Sequence, residues 1–440
     1  MNMSRFLKIA YGTHATALKF PSLVMGCLLV VLSGSAGATS IDLSPVNKET
    51  MRATTDYYNI KVPNSSLSLS LSTSFTVGWD SNIGRSGYSS NPNSSSGWYM
   101  QPNLTIGVNW PLTTFAKIHT SFGIGYRYFP DGSGDDDFIL NGDGGGLSTG
   151  VEIELKLGQT GKLTIGDNIS RTIDSLQMSS ATSGIGKYSA TQNETFAQYQ
   201  NDLRDDLHLT ARYAHTIAWY SPGQYKFMNF QSDMIDTVLM KDLTKGWSLG
   251  PYATATTTYY SEKDPSTKAQ RNDNTDLRMG MAFRHIGNVT IDGRLGYQIL
   301  KFQSDNNLAT DNCIVAPTYT LNASFNTGDY LTHTFSHSYE NSTSYRGVAV
   351  NYARQFSTAY AIAYRVHRDV DLGMDVSWLN IAESDGGEKS DLLRIGMGPT
   401  YNMTRNTKVS LRYEYTTKFS ATANNEYERH VISATVSHKF

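Results

Sequence analysis

Hydrophobic and polar residues alternate along most of the chain from about Leu67 to the C-terminus. In the first such stretch Leu67, Leu69, Phe75 and Trp79 share one parity, while serine, threonine and glycine fill the other. A period of two indicates a β-strand with one apolar and one polar face. The alternation returns in about 16 to 18 segments, with weaker segments near Tyr199, Ile235 and Phe335, so the sequence predicts an all-β protein.

The connections between these segments alternate in length. Short turns are predicted at 111–114, 158–161, 285–288, 326–329, 365–369 and 402–406, and long polar loops at 80–97, 131–146, 175–194, 261–274, 303–312, 380–391 and 416–428. Short turns at one end and long loops at the other are typical of bacterial outer-membrane barrels. We therefore expect a transmembrane antiparallel β-barrel of about 16 to 18 strands over residues 66–440, with short periplasmic turns and long extracellular loops.

The first 38 residues have the pattern of an export signal. Arg5, Lys8 and Lys19 precede an apolar run at 23–32, and small residues follow at 33–38. The run is about half as long as a membrane-spanning helix requires, so residues 1–38 are predicted to be a Sec signal peptide. Residues 39–65 alternate weakly and are expected to form a periplasmic or lumenal segment. The predicted location is the outer membrane of a Gram-negative cell.

Aromatic residues mark the ends of the predicted strands. Five tryptophans are expected at the interface between lipid and water, namely Trp79, Trp98, Trp110, Trp247 and Trp378. The chain ends in Phe440, and most positions counted back from it in twos are apolar or aromatic, with His438 as a departure. This ending resembles the C-terminal strand signature by which outer-membrane barrels are recognised for insertion. It implies outer-membrane lipid and the barrel-assembly machinery as partners.

The polar parity predicts the residues that face the lumen. Nine basic residues fall on it: Lys117, Arg127, Arg212, Arg278, Arg284, Arg294, Arg394, Lys408 and Arg412. Fewer acidic residues fall there, so the lumen is expected to be mildly basic and to favour anionic solutes. The alternative is that these charges pair across strands and fill the wall.

Composition narrows the function classes for the 440 residues. A mean hydropathy of −0.37 argues against a bundle of transmembrane helices, two cysteines exclude a disulfide scaffold, and a formal charge of −2 disfavours nucleic-acid binding. Catalytic motifs are absent from the sequence. His333 and His337 would share a strand face about 13 Å apart, too far to chelate one metal. The sequence therefore predicts no enzyme, no cofactor and no metal.

One short motif carries a family resemblance. The first strand ends Phe75-Thr-Val-Gly-Trp79-Asp80-Ser81-Asn82-Ile83. An opening strand that runs into Asp-Ser-Asn-Ile resembles the putative β-barrel porin-2 family and related barrels found beside exopolysaccharide export genes. The resemblance implies an outer-membrane barrel for passage of a solute or a polysaccharide. We also expect Asp80 to fix the loop by an Asx turn.

These observations favour a porin-like channel for the passive passage of small polar or anionic solutes. Two alternatives stay open, which are a barrel for exopolysaccharide export and a closed structural or adhesive surface barrel.

Overall fold

A computed structural model describes residues 60–61, 66–83, 96–134, 136–140, 149–173, 189–221, 229–244, 246–260, 273–303, 313–343, 352–383, 389–421 and 426–440. The predicted signal peptide and most of the predicted 39–65 segment lie outside the described residues. No helix in these ranges is long and apolar enough to cross a membrane.

The described residues form twenty β-strands. These are β1 (Ile60–Lys61), β2 (Ser68–Asp80), β3 (Gly97–Pro111), β4 (Ala116–Arg127), β5 (Asp137–Leu140), β6 (Thr149–Leu157), β7 (Gly161–Ile173), β8 (Ser189–Arg204), β9 (Leu207–Ser221), β10 (Phe230–Thr244), β11 (Trp247–Tyr260), β12 (Asp273–His285), β13 (Val289–Gln303), β14 (Cys313–Thr327), β15 (Leu331–Thr343), β16 (Tyr352–His367), β17 (Val370–Glu383), β18 (Lys389–Asn402), β19 (Thr407–Ser420) and β20 (Tyr427–Lys439).

The strands pair antiparallel, each with its neighbours in sequence, in one closed ring. Strand β4 pairs with β5 at one end and with β6 at the other, so β5 and β6 share one place in the ring. The two-residue β1 pairs only with the start of β2. The described chain is therefore an 18-strand antiparallel barrel, which confirms the predicted fold class.

The ring closes where β2 pairs with β20, from Ser72 opposite Lys439 to Asp80 opposite Val431. The backbone N–H of Phe440 donates to the carbonyl of Leu71 over 2.9 Å, which continues the ladder to the last residue. Because both strands find a partner, neither terminal strand of the barrel is left as an open edge.

The alternating pattern becomes an outward and an inward face. Phe75, Met279 and Val315 are exposed, as are many large apolar side chains of the same parity on other strands. The opposite parity carries buried polar side chains such as Gln101 and Gln298. The barrel is thus apolar outside and polar inside, because each strand places successive side chains on opposite faces.

The two ends of the barrel differ, as the sequence predicts. Eight short connections lie at one end, here called the turn end, and the longer connections lie at the other, called the loop end. The predicted loops 175–194 and 416–428 are too long, because β8 begins at Ser189 and β19 continues to Ser420. Polar residues occupy both parities at these strand ends, so alternation does not mark them.

Candidate channel lining

Three aromatic side chains lie flat on the inner wall, each over a glycine of the neighbouring strand. Tyr99 stands directly opposite Gly78, and a Cβ built on Gly78 would come within 2.4 Å of the Tyr99 ring. Phe196 stands opposite Gly166 in the same way, at 2.5 Å. Only a residue without a side chain leaves room for a ring lying along the wall. These glycines therefore keep bulky side chains out of the centre of the lumen.

The third ring, that of Tyr252, lies closer to the turn end and covers two glycines. Gly280 stands opposite Tyr252 on one side and Gly296 on the other, and the Tyr252 hydroxyl is 2.8 Å from a Cβ built on Gly296. The ring thus covers two neighbouring strands whose inward positions have no side chain.

An arginine lies over each of these rings. The guanidinium carbons of Arg127, Arg212 and Arg294 are 4.9, 4.6 and 5.1 Å from the ring centroids of Tyr99, Phe196 and Tyr252. A cation over an aromatic face at this distance is attracted by the ring. Arg127, Arg212 and Arg294, which the sequence predicts to face the lumen, are therefore held along the wall.

The same arginines are also paired by charge or hydrogen bonds. Arg294 donates to Asp236 of β10 through both terminal guanidinium nitrogens, Nη1 and Nη2, at 2.8 and 2.9 Å, and Asp236 is fully buried. Arg212 pairs with Glu194, and Arg127 donates to Gln101 at 2.9 Å. A bidentate arginine–carboxylate pair fixes both position and orientation. Little of the charge of Arg294 is thus left unpaired on the inner wall.

Arg394 and Arg412 come together on β18 and β19. Arg394 pairs with Glu414, and Arg412 lies 3.9 Å from the same carboxylate and 2.8 Å from Asp375. The second carboxylate oxygen of Asp375 is buried and has no partner among the described residues. Two predicted cations and two acids therefore form one nearly neutral cluster.

Arg278 is held by two acids on different strands. It donates to Asp276 at 2.7 Å and to Glu340 at 2.8 Å. The end of β15 leans inward here, because Asn341 exchanges hydrogen bonds with Gln298 of β13. This contact bridges over β14 and thickens the wall near the loop end.

The remaining three predicted basic residues lie at the turn end. Lys117 is 3.3 Å from Glu154, which Lys162 also contacts at 2.5 Å. Arg284 is exposed and has no ion pair among the described residues, while Lys408 is half-buried. Of the nine predicted cations, Arg284 at this mouth is therefore the one that is exposed and has no ion pair among the described residues.

A buried ion pair closes the barrel seam. Arg429 of β20 donates to both carboxylate oxygens of Asp80, with its shortest contact at 2.6 Å. The backbone N–H of Asn82 donates to Asp80 at 3.0 Å, which confirms the predicted Asx turn. Arg429 was not among the predicted lumen residues, although its parity in the last strand places it inward.

A small apolar cluster covers part of the loop-end mouth. Ile83 and Phe129 are buried against Tyr99, and Val431 packs on them. Asp131 accepts the backbone N–H of Ser133 at 3.0 Å and so shapes the segment that carries Phe129. The connection after β4 therefore lies along the inner wall.

The five predicted interface tryptophans lie on the outward parity at both ends. Trp79 stands opposite Trp98 at the loop end, where Trp378 donates its indole N–H to Asp391. Trp110 and Trp247 lie at the turn end, and Trp247 stacks on His285. An outward tryptophan that was not predicted, Trp219, is 45% exposed near the loop end of β9.

No group of three or more metal-ligating side chains occurs within the described part of the chain. His333 and His337 instead bond the hydroxyls of Tyr360 and Tyr319, at 2.7 and 2.8 Å. Their imidazoles belong to an aromatic surface on the outside of β14 to β16.

Comparisons by sequence find no matching protein family and no matching curated protein. The resemblance to the porin-2 family and its link to exopolysaccharide thus stay predictions. Similar solved structures are outer-membrane proteins. The outer membrane protein OpdK from Pseudomonas aeruginosa is 9% identical, with 84% of this chain and 99% of that chain covered and a TM-score of 0.46. OccAB4 from Acinetobacter baumannii is 10% identical over 84% and 98% of the two chains, with a TM-score of 0.45. The anion-selective porin from Comamonas acidovorans is 11% identical over 86% and 100%, with a TM-score of 0.40.

Proposed function

We propose that this chain is an outer-membrane channel through which small polar solutes diffuse. The observation that carries the proposal is the closed 18-strand ring with an apolar outer face and a polar inner face. Lipid requires every backbone polar group of the spanning segment to be paired, and a closed barrel pairs them all. Barrels of about 16 to 18 strands are wide enough to enclose water.

The arrangement of the inner side chains supports an open passage. Tyr99, Phe196 and Tyr252 lie against the wall over glycines, and the arginines beside them lie along the wall as well. A barrel filled by a packed core would instead direct such side chains toward its axis. This argues against the closed structural barrel.

The pairing of the inner charges bears on the choice of solute. Six of the nine predicted basic residues lie between the turn-end mouth and the loops. Five of these six are paired with carboxylates, and the sixth, Arg127, lies over the Tyr99 ring. Paired charges cancel at the distances that a hydrated solute samples. We therefore favour neutral polar solutes, such as small sugars, over a strong preference for anions.

The proposal is tested by recording single channels. The protein without residues 1–38 is purified in detergent and added to planar bilayers with a salt gradient. We expect discrete conductance steps and a reversal potential near zero. Liposome swelling should then rank neutral sugars by size. Absence of steps from protein that is shown to be folded would contradict the channel and favour a closed barrel.

A further inference from the structure

A group of polar side chains interrupts the apolar outer wall on β7 to β10. We call it the outer polar patch, and it consists of Asp167, Asn193, Thr195, Tyr213, His215 and Asp233. Thr195 stands directly opposite Asp167 and His215, and His215 stands opposite Asp233. Ile165, Trp219 and Ile235 are exposed on the same parities, which places the patch on the outside.

The patch forms two hydrogen-bonded groups. Asp167 accepts Asn193 Nδ2 at 2.7 Å and the Thr195 hydroxyl at 2.9 Å. Asp233 accepts the Tyr213 hydroxyl at 2.6 Å and lies 2.9 Å from His215 Nδ1. The side chains of His215 and Asp233 are still 33% and 45% exposed. The other imidazole nitrogen, Nε2 of His215, contacts no polar atom of the described residues.

The patch does not lie in the headgroup region alone. His215 is eight residues from the turn end of β9 and six residues from its loop end. Ile217 and Trp219 lie between it and the loop end. At ~3.3 Å per residue and a tilt of about 40°, His215 stands roughly 20 Å above the turn end. Asp167 is six residues from the turn end of β7, lower still. The outward apolar band is about 25 Å tall, so these groups meet hydrocarbon.

Ionisable groups facing hydrocarbon are unfavourable unless something polar covers them. A lipid headgroup is a poor cover, because lipid phosphates are anionic and two of the six residues are carboxylates. Asp167 also lies within the hydrocarbon layer, away from the lipid headgroups. A protein surface that offers both donors and acceptors at the same depth fits the patch better.

We propose that the outer polar patch is the contact between two copies of this chain. Two barrels with the same orientation can be related by a two-fold axis along the membrane normal. An axis between β8 and β9 brings Thr195 and His215 of one copy against the same residues of the other. His215 Nε2 then faces hydroxyl and carboxylate acceptors of the partner copy. The patch carries both kinds of group, so it complements itself.

The proposal depends on the outer face meeting lipid, and not on conduction through the lumen. A barrel that never conducts can still dimerise, and a conducting barrel can be a monomer. The two proposals therefore fail separately.

Site-specific crosslinking tests the position of the axis. Thr195→Cys is made in a Cys313→Ser background, which removes the exposed natural cysteine. The matched control is Val376→Cys, which lies outward on β17, across the barrel. In oxidised membranes the Thr195→Cys protein should form a covalent dimer, and the Val376→Cys protein should stay monomeric. Equal crosslinking of the two variants would overturn the proposal.

Molar mass in detergent, measured by analytical ultracentrifugation, gives a second test. The unmodified protein should sediment as a dimer, and the Asp167→Leu, Asp233→Leu double variant as a monomer. The variant should be monomeric because an apolar outer wall is solvated by lipid as well as by the wall of a second barrel. A heat-dependent gel shift checks that the variant is folded. A monomeric or trimeric natural protein, with or without bound lipid, would overturn the two-fold contact.

Discussion

Side-chain size at single inward positions decides how much of the lumen stays free. Glycine usually weakens a strand, because it packs no side chain and costs conformational entropy. Here Gly78 and Gly166 instead make room for an aromatic ring of the neighbouring strand to pack flat against the wall. The sequence shows these glycines on the polar parity but does not show which ring covers them, since that depends on strand register.

Replacing Gly78 by alanine should therefore displace Tyr99. The added Cβ would lie 2.4 Å from the ring, so the ring must swing toward the lumen. We expect unfolding to become easier by about 1–3 kcal/mol, as for other overpacked sites. Urea unfolding in detergent measures the change. Ser70→Ala, inward on the same strand, should have little effect, and an equal loss in both variants would contradict the explanation.

For the charged residues inside the barrel, too, the sequence predicts the face on which a residue lies but not its partner. Period-two alternation predicts the inward position of Arg294 but not its partner Asp236, which is 58 residues away. Likewise, parity alone suggests an excess of basic residues, while the structure places acids such as Glu194 and Glu340 beside them. Face is a local property of a strand, whereas pairing depends on its neighbours in the ring.

At the scale of strands, the seam between β2 and β20 is, among the described strands, the junction that joins the two distant ends of the barrel sequence. Asp80 and Arg429 are 349 residues apart and both are buried at this junction. Removing one member of a buried pair leaves an uncompensated charge, which costs more than the pair itself contributes.

Asp80→Asn should therefore destabilise the barrel by about 3 kcal/mol. The double variant Asp80→Asn, Arg429→Gln should recover part of this loss, because no charge is then left unpaired. The midpoint of heat-dependent unfolding on gels measures both. If the double variant is no more stable than Asp80→Asn alone, the ion-pair explanation is wrong.

Phe440, the residue that follows β20, offers a different prediction. The backbone N–H of Phe440 completes the ladder, while its ring is 49% exposed on the outer face. A ring used for recognition during assembly can be lost without loss of folded stability. Phe440→Ala should lower the amount of barrel inserted in cells and leave the unfolding midpoint of purified protein nearly unchanged. Val436→Ala, four residues earlier on the same outer face, is the control.

Strands that the sequence marks weakly carry information of their own. The alternation is faint near Tyr199 and Ile235, and the start of β8 is predicted as loop. Both strands contribute to the outer polar patch, where the outward residues are Asn193, Thr195 and Asp233. An outward face that is polar erases the period-two signal. The failure of the pattern therefore coincides with the part of the wall that we expect another copy to cover.

For the whole molecule, the ring of 18 strands sets the width of the lumen, and in the proposed channel we expect the paired charges to set the selectivity. The strand number follows from counting alternating segments, which the sequence allowed to within two strands. The balance of charge did not follow, because several acids that hold the lumen arginines were not assigned to the inner face.

Neutralising the acids that hold Arg394 and Arg412 should expose their charge to solutes. In the double variant Asp375→Asn, Glu414→Gln both arginines lose their ion pairs on β17 and β19. A local excess of positive charge raises the concentration of anions in a narrow, low-dielectric passage. The reversal potential in a salt gradient should shift toward the anion value, by several-fold in permeability ratio. Asp391→Asn, which removes an outward carboxylate on the neighbouring β18, should leave the reversal potential unchanged, so a shift in both variants would place the selectivity elsewhere.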